Sequence, residues 1–162
     1  MSNNVSIIGL LLALTILCPQ SAAFAADNGT TGAVKSVVTN PQELIRLSLD
    51  GLISAYSGKN IRQFMDLVSE SYTGDASVLE SSIRRDFSDF TNLSMRYTFN
   101  NVTSDGKGNV SVAVTSVRDH TVIKTGKQAI VKKQSTLIFK LENGAYRLYS
   151  QKSPRLFGHD FQ

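Results

Sequence analysis

The sequence has no tryptophan, and its 162 residues include one cysteine, two histidines and three prolines. With Cys18 the only thiol, no intrachain disulfide can form and no cysteine-based zinc site can be assembled. His120 and His159 stand far apart, and no His-x-x-x-His or Asp-x-Asp spacing occurs, which argues against zinc and EF-hand calcium. Phosphate-cradling loops are missing as well. Asp105-Gly106-Lys107-Gly108 is a turn between two strand-like segments, without the spacing of a P-loop or a dinucleotide site. No Gly-x-Ser-x-Gly elbow is present. Neither a metal nor a cofactor is expected.

Long apolar runs are also scarce. The one that exists, Ile7 to Leu17, covers 11 residues, against the roughly 20 needed to cross a bilayer. No charged side chain precedes Asp27, Pro19 and Gln20 interrupt the run, and Ala23-Phe24-Ala25 supplies a small-x-small pattern. This predicts a signal peptide over residues 1–25, cleaved after Ala25, and a periplasmic or secreted protein. Because Met1 to Ser6 contains no Lys or Arg, an uncleaved N-terminal membrane anchor is the alternative. Thr15-Ile16-Leu17 lacks the small residue that lipoprotein processing needs before a cysteine, so Cys18 is expected to leave with the signal rather than be lipidated.

What remains has the composition of one globular domain, with 41% hydrophobic and 19% charged residues. Residues 26–39, rich in Gly, Thr and Ser, read as a flexible leader. Asn40-Pro41-Gln42-Glu43 then has the form of a helix start: a capping Asn, Pro at the first helical position and an acid three residues after the cap. The helix runs to about Ser57, with Ile45, Leu49, Leu52, Ile53 and Tyr56 on one stripe. Gly58 ends it, and Asn60 caps a second helix whose apolar face is Ile61, Phe64, Met65, Val68 and Tyr72. Asp75 caps a third, lined by Leu79, Ile83, Phe87 and Phe90.

From Leu93 the period shortens to two. Met95, Tyr97 and Phe99 alternate with polar residues, as do Val110, Val112 and Val114 after the turn at Ser104–Asn109. Thr125-Gly126-Lys127 marks another reversal, and Asn143-Gly144 separates Leu137, Phe139 and Leu141 from Tyr146 and Leu148. Three helices followed by an antiparallel meander of at least four strands give an α+β class in which the sheet curls around the helices.

The corner Ala55-Tyr56-Ser57-Gly58-Lys59-Asn60-Ile61, followed by Phe64, Leu67 and Tyr72, resembles the NTF2-like (SnoaL-like) superfamily over Pro41 to Tyr149. The resemblance implies a cone in which N-terminal helices fill the concave face of a bent antiparallel sheet. The domain is then residues 40–153, with 154–162 as a C-terminal tail. The superfamily contains isomerases, cyclases and dehydratases alongside non-catalytic binding domains, so the fold does not give the function. Its enzymes place carboxylates, Tyr or His in the mouth of the cone. No stretch of this sequence matches such a motif residue by residue, and no role is carried over.

The local group with the most chemistry is Arg118-Asp119-His120, since an acid and an imidazole suit proton abstraction beside a carbonyl. Neighbouring strand residues point to opposite faces, so Asp119 and His120 enter one pocket only across a bulge. Asp119 is the first candidate for a general base, with His120 beside it. Tyr56, Tyr72 and Tyr97 are candidate hydrogen-bond donors, each also readable as ordinary core packing.

Charge is unevenly distributed. Residues 26–92 carry six Lys+Arg and nine Asp+Glu, net −3, whereas residues 93–162 carry eleven and four, net +7. Lys124, Lys127, Lys132 and Lys133 gather around the middle hairpin, where they suit contact with an anionic surface or ligand or simply protect strand edges. Nucleic acid is disfavoured, because aromatic and basic residues do not interleave.

The preferred reading is an exported, non-catalytic module that binds a small ligand or a partner protein, with a homodimer through the sheet as a further option. The alternative is an exported isomerase- or dehydratase-type enzyme using Asp119 as base with a pocket Tyr. A third is a structural envelope protein resting its basic sheet on an anionic membrane.

Overall fold

The computed structural model describes residues 40–158. The signal peptide expected over residues 1–25, the leader expected over 26–39, Cys18 and His159 lie outside the described residues. Asn40 accepts from the Gln42 amide and Pro41 opens helix α1, Pro41–Ser57. All five residues of its predicted stripe are buried, Ile45, Leu49, Leu52 and Tyr56 completely.

The second helix differs from expectation. Helix α2 covers only Ile61–Met65, capped by Asn60 on the Gln63 amide. Val68 and Tyr72 are therefore not on its face. Instead, Leu67 to Thr73 runs beside the last strand: Leu148 donates to the Leu67 carbonyl, while Ser69 and Thr73 donate to the carbonyls of Leu148 and Tyr149. These backbone bonds replace the helical ones that the apolar spacing alone favours. Helix α3, Ala76–Asp89, starts as predicted on the Asp75 side chain, which accepts from Ser77 and Val78. Phe90 is the first residue of a strand, not the last of the helix.

Strands β1 (Phe90–Ser104), β2 (Asn109–Val122), β3 (Gln128–Glu142) and β4 (Ala145–Gln151) form one antiparallel sheet in chain order. Register shifts between Thr91 and Ser94, between Phe99 and Asn101, and between Ile138 and Phe139 bend the sheet. Its concave face presents Leu93, Met95, Val110, Val112, Val114, Leu137, Phe139, Tyr146 and Leu148 to the helices in one continuous core. The fold is thus α+β, helices held in a curved sheet.

The segment after Pro154 also enters that core. Ser135 donates to the Pro154 carbonyl at 2.7 Å, and Gln151 Oε1 accepts from the Phe157 amide at 3.0 Å. Between these ties Leu156 and Phe157 are buried, Phe157 completely. Its ring meets Phe64 edge-on at 5.0 Å and Tyr56 at 5.4 Å. Gly158 follows at φ +80°, where a Cβ would stand 2.5 Å from Ser82 Oγ. Only glycine fits there.

Candidate functional site

Inside the cone a polar cluster sits in the apolar core. Tyr56, at the last turn of α1, donates to Asp86 Oδ2 at 2.6 Å and accepts from Arg118 Nη1 at 3.0 Å. The guanidinium is 3.7 Å from the same carboxylate oxygen. Tyr56 and Asp86 are both fully buried. Burial, reinforced by the Asp86 charge, pushes the Tyr56 phenol far above its ordinary value, so it stays a donor. Arg118 also lies over the Phe90 ring at 5.2 Å.

His120 is two residues beyond Arg118 on the same face of β2, 4% exposed, with its ring 4.2 Å from that of Phe90. Its Nδ1 has no hydrogen-bond partner among the described residues. Burial first, and then the Arg118 charge, lower its pKa, while Asp119 and Asp86 pull weakly the other way. The neutral imidazole is the favoured state in the folded protein. Because the unfolded chain takes up the proton first, stability is full above about pH 6.5 and falls as the pH drops below it. Urea unfolding from pH 7.5 to 5.5 is expected to show this loss, at most about 1.4 kcal/mol per pH unit, and His120→Leu to flatten it. Equal slopes in the two proteins would contradict the assignment.

Asp119 takes no part in this cluster. With Arg118 and His120 facing inward, it points to the outer face of β2, half-exposed, and accepts from Gln128 Nε2 at 3.1 Å. The bulge needed to turn it inward is absent there, since pairing with β3 runs unbroken through Arg118, Asp119 and His120. The carboxylate in the cone is Asp86. A signal for it exists in the sequence: Leu79, Ser82, Ile83 and Asp86 follow i, i+3, i+4, i+7, placing an acid on the buried stripe of α3.

The other two tyrosines lie apart from Tyr56. Tyr72 Oη is 3.5 Å from Gln151 Nε2, beside the C-terminal segment. Tyr97 donates to Asp50 at 2.7 Å and opens on a surface groove of about 470 Å³ shared with Gln42, Arg46 and Phe99. Partial burial and the Asp50 hydrogen bond raise its pKa. Among the lysines, Lys124 and Lys127 are exposed at the β2–β3 turn, Lys132 is exposed and Lys133 half-buried on β3. A second groove, of about 440 Å³, lies on the outer face of the sheet, lined by Arg96, Tyr97, Thr98, Thr115, Val117 and Lys132. Among the described residues no group of three His, Cys, Asp or Glu is placed to hold a metal ion.

No family model matches the chain, and no curated protein matches it by sequence. Solved structures do match. The chain is similar to a ketosteroid isomerase-like protein from Erwinia carotovora, at 13% identity and a TM-score of 0.58 over 67% of this chain and 90% of that one. It is similar to an NTF-2 like protein of unknown function from Shewanella oneidensis, at 11% identity and 0.54 over 69% and 97%. A hexachlorocyclohexane dehydrochlorinase matches at 7% identity and 0.53 over 68% and 84%. At these identities the likeness is one of fold, and the fold is NTF2-like.

Proposed function

We propose that this chain is a non-catalytic NTF2-like binding module, working outside the cytoplasm after cleavage at Ala25, that meets its ligand or partner on the outside of the cone. The observation that carries the reading is the filled interior. Leu156 and Phe157 occupy the core against Tyr56 and Phe64, and Tyr56, Asp86 and Arg118 bond to one another there. Asp86 is fully buried, and the Tyr56 hydroxyl is already committed at both its donor and acceptor sides. Export is supported by the apolar run and the Ala23-Phe24-Ala25 site; N-terminal sequencing of the mature protein is expected to begin at Ala26.

Native mass spectrometry of the protein isolated from its own host tests the rest. The expected result is the mass of the mature chain alone, or with an anionic adduct that is lost at high salt. A neutral apolar molecule retained at high salt would contradict it.

One observation favours a second reading. Tyr56, Asp86 and the unpartnered His120 Nδ1 bring acid–base groups into an apolar setting, as an isomerase- or dehydratase-type enzyme would need if residues 154–158 swung out. The catalytic base would then be Asp86, not Asp119.

A further inference from the structure

On the outer face of the sheet, Arg96 of β1, Val117 of β2 and Lys132 of β3 stand opposite one another in a single row. Two strand spacings separate the cations' backbones, about 10 Å, so their side chains, converging from both sides, reach one group held above Val117. Both are exposed, and among the described residues neither makes an ion pair or a hydrogen bond. The next row pairs Thr98 with Thr115; the Thr115 hydroxyl is taken up by Asn100, and that of Thr98 is available. The groove so formed has no carboxylate in its lining. Its floor is the half-buried Val117, and apolar surface continues beyond it to Ile130, 68% exposed on the same face two residues before Lys132.

We propose that this groove binds a small amphiphilic organic anion, with a phosphate or carboxylate head between Arg96 and Lys132 and an apolar body on Val117 and Ile130. Arg96 offers a planar fork that takes two oxygens of such a head, and Lys132 adds a point charge from the other side. The Thr98 hydroxyl donates to a third oxygen of a phosphate head or shares an oxygen of a carboxylate. A bounded groove with an apolar floor suits a molecule better than a bilayer, because Asp119 stands on the same face beside Ile130 and would oppose a broad anionic surface. Self-pairing of this face about Val117 would bring like charges together. The inference deepens the reading of the chain as a binding module and rests on it, yet its test does not depend on what fills the cone.

Titration calorimetry on the mature chain uses three probes: octyl phosphate, inorganic phosphate and octanol. Octyl phosphate is expected to bind about tenfold or more tighter than either fragment. The double variant Arg96→Gln/Lys132→Gln, both changes at exposed positions, is expected to weaken it about tenfold or more with an unchanged melting midpoint. Val117→Ser is expected to lower octyl phosphate to the level of inorganic phosphate. Octyl phosphate binding no tighter than inorganic phosphate, or equally to the double variant, overturns the proposal. So does sedimentation with phosphatidylglycerol vesicles, or self-association in ultracentrifugation, that depends on Arg96 and Lys132. A neutral apolar ligand found in the cone would instead sink the closed-cone reading and leave these affinities standing.

Discussion

Phe157→Ala is expected to destabilise the domain by about 3–5 kcal/mol, the range for removing a fully buried aromatic ring, and to lower its melting midpoint by roughly 10–25 °C. The side chain is completely buried and touches two other rings edge-on, so its loss removes both the burial and the aromatic contacts. Neighbours cannot collapse into the space easily, since Tyr56 is held by Asp86 and Arg118. Urea denaturation at neutral pH measures the change. A loss below about 1 kcal/mol, the scale of a surface substitution, would mean that the segment after Pro154 is only loosely attached and that the cone is open in solution.

Asp86→Ala carries the second large effect. It leaves the partly buried Arg118 without the Asp86 counter-charge and takes the acceptor from Tyr56. Removing one partner of a buried pair typically costs about 3–5 kcal/mol. The Arg118 side chain is 14% exposed and can reach toward water, which places the expected loss at the low end, about 3 kcal/mol. The triple variant Tyr56→Phe/Asp86→Leu/Arg118→Met, which removes both charges at similar volume and leaves no unpaired hydroxyl, is expected to recover most of it. If Asp86→Ala alone were neutral, the Tyr56–Asp86–Arg118 contacts would not hold α1, α3 and β2 together as described. Tyr56→Phe separates the two parts: it keeps the ring against Phe157 and removes only the hydroxyl, for about 1–3 kcal/mol.

The parts of the fold that were legible in the sequence are those in which one element decides its own geometry. Asn40 and Pro41 start α1 without reference to anything distant, and its stripe from Ile45 to Tyr56 is the buried face observed. The strands are legible for the same reason, Val110, Val112 and Val114 alternating as they lie in β2. Illegible were the features decided by a partner remote in the chain. Val68 and Tyr72 keep helical spacing, but the backbone of β4, some eighty residues on, takes the hydrogen bonds that would have continued α2.

The site was legible only in pieces. Arg118-Asp119-His120 drew attention because three polar residues meet in one stretch, yet strand alternation sends Asp119 out and leaves Arg118 and His120 in. Asp86 sat on an apolar stripe with Leu79 and Ile83, where an acid needs a partner; that partner, Arg118, lies on a strand no local pattern connects to α3. Leu156 and Phe157 had no periodicity around them, and only the closed cone shows that they complete its core. Arg96 and Lys132 become neighbours only through the register of three strands.

The central claim is that the protein's own C-terminal segment occupies the interior that an NTF2-like enzyme would keep for substrate. The most direct measurement is a fluorescence titration with the neutral apolar probe N-phenyl-1-naphthylamine, for which the absence of tryptophan leaves a clear background. The mature wild-type protein is predicted to give no saturable binding, whereas Phe157→Ala, under conditions where it still unfolds cooperatively, is predicted to gain a site for benzene, read as a raised melting midpoint, because the vacated space is one ring in size and too small for the larger probe. Saturable binding of the probe by the wild-type protein, abolished by filling substitutions at the Tyr56–Asp86 cluster, would contradict the claim and return the cone to the enzymes.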